Sequence, residues 1–150
     1  RMVFGCHGHY SAAKWALEGL SEALAFEMAE FDVRVALIEP GSVPTPAWEK
    51  GTPPPEDTKY GNSLQRLAAW ATYTMQNPAT TLEVAEAVTH AIESETPHFR
   101  YLVGQDALED VAARQSVSDD EWIELNRLQG AAFARRWKEV VGVDYFGCDD

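Results

Sequence analysis

Tyr10 and Lys14 are separated by three residues in the run Tyr10-Ser11-Ala12-Ala13-Lys14. On a helix this spacing puts the phenol and the ammonium on one face, one turn apart. A phenol ordinarily ionises at about pH 10. A cation beside it favours the phenolate and draws that value toward neutrality. The pair therefore has the makings of an acid/base device that moves a proton to or from a substrate oxygen. The same spacing also arises where a half-buried tyrosine stands beside a solvated lysine. The elements that follow must separate these readings.

Other reactive side chains are weaker candidates. Cys6-His7-Gly8-His9 gathers thiol and imidazole groups in one short stretch. A tetrahedral zinc site draws on a second cluster, and none follows, so a loop bordering the active site is expected and no metal. Asp119-Asp120 reads as part of a helix cap and Asp149-Asp150 as tail. Arg135-Arg136-Trp137-Lys138 reads as a solvated helix face, with anion or partner binding as the alternative.

The elements that must position Tyr10 and Lys14 follow from pattern. Residues 1–9 carry Gly5 and Gly8 without periodicity and read as loop. Tyr10 to about Phe31 reads as a helix. Trp15, Leu17, Leu20, Leu24, Phe26 and Phe31 spread over more than one stripe, so burial on more than one side is expected. Gly19 inside it points equally to close approach of another helix or to simple tolerance. Val33–Ile38 is a β-branched run that ends at Glu39-Pro40-Gly41 and fits a strand of a parallel sheet. Pro44, Pro46 and Pro53 to Pro55, with Gly51 and Gly61, break any regular element over 42–62.

Further along, Leu64 to about Met75 reads as a helix that stops before Asn77-Pro78. A second helix runs from Thr81 to about Ser94, capped by Thr80 or Thr81 with Glu83 in its first turn. Phe99–Val103 reads as another strand, closed by Gly104. Ser118-Asp119-Asp120-Glu121 is a capping-box start for a helix through Trp122, Leu125 and Leu128.

Bulk composition limits the function classes. A chain of 150 residues with 45% hydrophobic content has material for one core. Mean hydropathy is -0.30, ordinary for a globular protein. A formal net charge of -12 and a pI near 4.6 argue against nucleic acid and anionic membrane surfaces as partners. The 2 cysteines, Cys6 and Cys148, stand at opposite ends and form no disulfide framework, which favours a reducing, cytoplasmic setting.

Taken together, the Tyr-Lys helix, Ala16-Leu17-Glu18-Gly19-Leu20-Ser21-Glu22-Ala23-Leu24, Val33-Arg34-Val35, Glu39-Pro40-Gly41-Ser42-Val43-Pro44-Thr45 and Glu83-Val84-Ala85 resemble the C-terminal half of a short-chain dehydrogenase/reductase. The phrasing around Ala16 to Thr45 is similar to the branch holding 17β-hydroxysteroid and retinol dehydrogenases. The resemblance implies an α/β fold: the C-terminal part of a Rossmann-like, doubly wound parallel sheet. Residues 1–105 would belong to that domain, with a substrate lid over about 42–76, and 106–150 would form a helical C-terminal extension.

It also implies roles. Tyr10 would be the acid/base, and Lys14 would lower its pKa and bind the nicotinamide ribose. Pro40 and Gly41 would shape the turn after the strand, and Val43 and Thr45 would contact the nicotinamide of NAD or NADP. Trp48, Tyr60, Trp70 and Tyr73 would line an apolar pocket for an alcohol or ketone, with ordinary packing as their alternative. A homo-oligomer through the Tyr10–Phe31 helix is implied as well.

The departures are as informative. The family's Gly-rich loop, which sets pyrophosphate on a helix N-terminus, has no counterpart in the 150 residues. The family's catalytic serine and the residue that selects NAD over NADP fall upstream of Arg1. The N-terminal cofactor-binding half is thus expected to be missing and the chain alone inactive. A non-catalytic fragment that serves as an oligomerisation or binding module is the alternative.

Overall fold

The computed structural model describes residues 2–50 and 57–147. Arg1, Gly51, Pro53 to Pro55, Cys148 and the Asp149-Asp150 tail lie outside the described residues. The fold is mixed α/β, with a small parallel sheet and six helices among those residues.

The first helix, α1, spans Gly8–Ala29. It begins earlier than the sequence pattern suggests, because the Ser11 N–H already donates to the His7 carbonyl at 2.8 Å. It stops before Phe31 because Asp32 turns left-handed at φ 56° and the Val33 N–H closes back on the Met28 carbonyl at 3.0 Å. Aspartate tolerates that region better than most residues.

Strand β1 is Leu37–Pro40 and β2 is Arg100–Val103, paired in parallel with Leu37 opposite Arg100 and Pro40 opposite Val103. The β-branched run from Val33 overestimates the strand. Its first four residues precede the register in which β2 can answer them, so only the end of the run joins the ladder. Arg34 instead donates to the carbonyls of Ser94 and Ile92 at 2.7 and 2.9 Å. It satisfies the last turn of α3 (Thr81–Glu93), where carbonyls have no partner within the helix.

Between β1 and α3 come a single 3₁₀ turn at Pro46–Lys50, inside the segment expected to be irregular, and α2 at Gly61–Thr74. After β2 come α4 (Gln105–Gln115), α5 (Asp119–Arg127) and α6 (Gly130–Val141). Both anticipated caps form as full capping boxes, Thr80 with Glu83 and Ser118 with Glu121.

The core sits in the C-terminal helices. Ala113, Trp122, Leu125, Phe133, Trp137, Val141 and Tyr145 are buried together, with Met2, Phe4, Trp70 and Tyr73 packed against them. Trp137 is 2% exposed and lies at the centre of this cluster. This corrects the reading of Arg135-Arg136-Trp137-Lys138 as one solvated face: the helical period turns Trp137 inward, away from the solvated Arg136.

The opposite correction applies to α1. No residue of it is buried, and Leu20 and Phe26 are 66% and 70% exposed. A helix of this length is roughly 33 Å long. Two paired strands, spaced about 5 Å apart, offer too little surface to cover it. A Cβ placed on Gly19 would meet nothing within 4 Å, so no helix among the described residues exploits its small size.

Candidate active site

Tyr10 and Lys14 occupy the first two turns of α1. The orientation of α1 against the sheet follows from Arg100 at the start of β2. Its guanidinium pairs with Glu18 and, at 3.3 and 3.4 Å, with Glu22 of α1 and Glu39 of β1. The C-terminal part of α1, at Ala25 and Phe26, lines a groove of about 610 Å³ with Val35, Ala36, Pro97 and Phe99, which precede the strands. So α1 runs antiparallel to both strands. Tyr10, about 12 Å further toward the helix N-terminus than Glu18, lies toward their carboxyl ends. The Gly41–Thr45 loop leaves β1 at that same end. Ligands of open α/β sheets bind outside the carboxyl ends of the strands.

Tyr10 and Lys14 are accessible. The Lys14 Nζ stands 5.6 Å from the centre of the Tyr10 ring, and Tyr10 is 54% exposed. The His7 ring lies 5.5 Å from the Tyr10 ring on the other side of the helix start. Cys6 is exposed and unpaired in a disulfide. Among the described residues, no group of three or more His, Cys, Asp or Glu side chains is arranged to hold a metal ion.

The loop after β1 is held tightly at its root. The Gly41 N–H donates to the Val103 carbonyl at 2.9 Å. Ser42 is 2% exposed, and its N–H donates to Asp106 Oδ2 at 2.6 Å. Beyond that root, the Trp48 indole N–H donates to the Val43 carbonyl at 2.8 Å, and the Trp48 backbone N–H to the Thr45 carbonyl at 3.2 Å. Trp48 thus folds back on Val43 and Thr45, the two residues expected to face a nicotinamide.

The other three aromatics lie apart from Trp48. Tyr60 caps α2 and is 67% exposed. Trp70 packs on Phe4 with ring centres 4.9 Å apart, and its indole N–H donates to Asp110 Oδ2 at 2.8 Å. Tyr73 packs on Tyr145 at 4.5 Å. Trp70 and Tyr73 therefore serve the helical core on the described side of α2.

Asp110 is the most perturbed acid. Burial pushes its carboxyl up to about 6, against the pull of hydrogen bonds from Tyr145 and Trp70, and the charges of Asp106 and Glu109 add to the rise. The Tyr145 phenol, buried beside it, is raised as well and donates to Asp110 Oδ1 at 2.8 Å. Sequence reasoning missed Asp106, Asp110 and Arg100. Two buried aspartates in α4 interrupt the apolar period that would have announced that helix.

Comparison with known proteins is consistent with this geometry. Residues 1–55 match the model of the short chain dehydrogenase family. An uncharacterized oxidoreductase of Schizosaccharomyces pombe is 30% identical over 129 residues, covering 86% of this chain and 55% of its own. A Helicobacter pylori protein named as a probable short-chain type dehydrogenase/reductase is 36% identical over 100 residues, covering 65% of this chain and 36% of its own. The chain belongs to the short-chain dehydrogenase/reductase family. An NADPH-dependent 3-dehydrocapnine reductase of Ornithobacterium rhinotracheale is 32% identical over 115 residues, covering 75% of this chain and 41% of its own. The chain thus spans about half, or less, of the length of these relatives.

The residues present fit part of a nicotinamide site. Lys14 is exposed, and Val43 and Thr45 are half-buried beneath Trp48. No described helix opens on a Gly-rich turn able to hold pyrophosphate. The helix that follows Gly104, α4, carries Asp106 in its first turn, whose charge repels phosphate.

Proposed function

We propose that this chain supplies the proton-transfer half of an NAD(P)(H)-dependent oxidoreductase that interconverts alcohols and ketones. The reading is supported by the Arg100–Glu18 pair and the groove at Phe26, from which the Tyr10 end of α1 is inferred to point to the carboxyl end of the sheet, where the Gly41–Thr45 loop leaves β1. A nicotinamide, when bound, exchanges a hydride with the substrate carbon. Tyr10 exchanges a proton with the substrate oxygen. Lys14 favours the phenolate through its charge and hydrogen-bonds the ribose. Pro40 and Gly41 set the turn, Val43 and Thr45 meet the carboxamide, and Trp48 and Tyr60 belong to the substrate side, while Trp70 and Tyr73 take the packing alternative in the helical core. NADPH is the first cofactor to test, since one relative is named for it. The setting is cytoplasmic in this reading; no described helix is long and apolar enough to cross a membrane.

Residues 1–150 by themselves catalyse no hydride transfer in this reading, because no pyrophosphate cradle is among them. The test compares the purified 150-residue chain with the product of the gene read in frame upstream of Arg1. Both are assayed with NADPH and NADH against a panel that begins with steroid and retinoid alcohols. Activity of the longer product that falls about 10²-fold or more in Tyr10→Phe supports the proposal. Turnover by the 150-residue chain refutes its inactivity, and turnover unaffected by Tyr10→Phe refutes the role of Tyr10.

A second reading is favoured by one observation, the exposure of Trp15, Leu17, Leu20, Leu24 and Phe26 along α1. Single-chain proteins rarely leave so many large apolar side chains of one helix in water. Here the chain is a non-catalytic module that forms a homo-oligomer through α1. Sedimentation equilibrium separates the outcomes: a dimer that Leu20→Glu converts to monomer supports the oligomer, and a wild-type monomer removes it.

A further inference from the structure

Asp106 is the second residue of α4 and is 4% exposed. A carboxylate so deeply buried needs compensation. Part comes from the α4 N-terminus, whose dipole favours negative charge. Part comes from the Ser42 N–H, which donates to Asp106 Oδ2 at 2.6 Å across 64 residues of chain. The other oxygen, Oδ1, has no hydrogen-bond partner among the described residues and faces Gly41 and Gly104. A Cβ on Gly41 would collide with that oxygen, and one on Gly104 would stand 2.8 Å from it. Glycine at 41 is therefore dictated by Asp106, not by room for a ligand.

Every polar group of Ser42 is committed. Its Oγ–H donates to Thr74 Oγ1, also 2% exposed, at 2.7 Å, and its carbonyl accepts from the Ala79 N–H at 2.9 Å. Four segments therefore converge on Gly41-Ser42: the end of β2, the start of α4, the end of α2 and the stretch before α3. The next residue is Val43. The exit direction of the loop is fixed at its root, and the charge-assisted bond from Asp106 is the strongest type among those holding it.

We infer that Asp106 is the positioning residue for the Val43–Thr45 loop, setting through Ser42 where that loop meets the nicotinamide. The inference rests on the proposed function for its purpose and on the Asp106–Ser42 geometry for its mechanism. Asp106 touches neither cofactor nor substrate. Its loss frees the Ser42 N–H and leaves the loop root with neutral hydrogen bonds alone.

The test begins on the 150-residue chain. Backbone amide exchange is measured for wild type, Asp106→Ala and Asp106→Asn. The Ser42 amide is expected to exchange about tenfold faster or more in Asp106→Ala and faster by a smaller factor in Asp106→Asn, whose amide oxygen still accepts without the charge, while amides within α3 keep their wild-type rates. If Asp106→Ala does not fold, Asp106→Asn, which keeps the volume, carries the measurement. A steric cycle gives a second readout: Gly41→Ala lowers the unfolding midpoint in the wild-type background and lowers it much less in the Asp106→Ala background. An unchanged Ser42 amide, or an equal cost of Gly41→Ala in both backgrounds, overturns the inference.

In whichever product transfers hydride, Asp106→Asn is expected to raise KM for the nicotinamide cofactor about tenfold, with kcat within about twofold. An unchanged cofactor KM overturns the functional purpose. If no product transfers hydride, the proposed function fails while the amide-exchange and steric results still decide the mechanism.

Discussion

Arg100 at the head of β2 grips Glu18 of α1 one helical turn beyond Lys14, so the stripe that carries the proton pair is continuous with the stripe that docks the helix on the sheet. The same guanidinium reaches Glu22 and Glu39, and Arg100 and Glu39 make further interactions besides. The Arg100 side chain is 23% exposed, and those of Glu18 and Glu39 are 21% and 14%. These pairs are therefore screened less than surface pairs.

Arg100→Met removes the cation and leaves three carboxylates facing one another between α1 and β1. The expected cost is about 1–3 kcal/mol of stability, together with faster amide exchange along α1. Urea unfolding and exchange measurements check both. Adding Glu18→Gln should recover part of the loss by removing one of the repelling charges. A wild-type midpoint in Arg100→Met would show that α1 is docked by something else.

Asp110 makes stability depend on pH in a stated direction. Burial raises its carboxyl from the ordinary 3.8 to about 6. The folded state therefore holds the proton more tightly than the unfolded state. That contribution is complete below 3.8 and is lost as pH rises through about 6. Between pH 5 and pH 7 the loss is on the order of 1 kcal/mol. Asp110→Asn should flatten that part of the profile. At every pH it leaves either the Trp70 or the Tyr145 donor facing an amide NH₂, so a lower plateau is expected as well. Denaturant titrations at three pH values check the slope, and a variant with the wild-type slope refutes the assignment.

Trp137 anchors the core against Phe133, Trp122, Tyr145, Phe146 and Phe4. Trp137→Ala is expected to cost about 3–5 kcal/mol. Its indole N–H is buried without a partner among the described residues. Trp137→Phe removes that unpaired donor along with some volume, so its loss should be well below that of the alanine variant. A loss for Trp137→Phe as large as that for Trp137→Ala would sink this expectation.

Thr80 accepts from the Glu83 N–H at 3.1 Å, and Glu83 accepts from the Thr80 N–H at 2.6 Å. The Thr80 N–H and hydroxyl, both donating to Glu83 Oε2, hold the Glu83 carboxyl below its usual range. Thr80→Ala should cost about 1 kcal/mol, and Glu83→Gln less, because glutamine still accepts. Thermal unfolding of the two variants gives the order, and the reverse order would dismiss the capping box.

What could be read from the sequence was local. The capping boxes at Thr80 and Ser118 were legible because each is complete within four consecutive residues. The Tyr10–Lys14 spacing and the Ala- and Leu-rich run after it announced α1 for the same reason. Helix α4 was not legible, since Asp106 and Asp110 stand where an amphipathic period expects apolar residues. Trp137 was hidden by its neighbours: Arg135, Arg136 and Lys138 mark a basic segment, and only the helical turn sends the indole the other way.

The sequence by itself determined which residues can share a helix face, where helices start, and that a turn follows Pro40. Interactions between residues three or four apart set those outcomes, and they need no partner from elsewhere. Tertiary structure decided the rest: that Arg100 orients α1 from 82 residues away, that Asp106 holds Ser42 from 64 away, and that Trp70 and Tyr73 join the C-terminal core. Such contacts must overcome the entropy of closing long loops and the cost of burying charge. They exist only where the assembled fold supplies an opposite charge, a donor or a packed wall, and no short stretch of sequence records that.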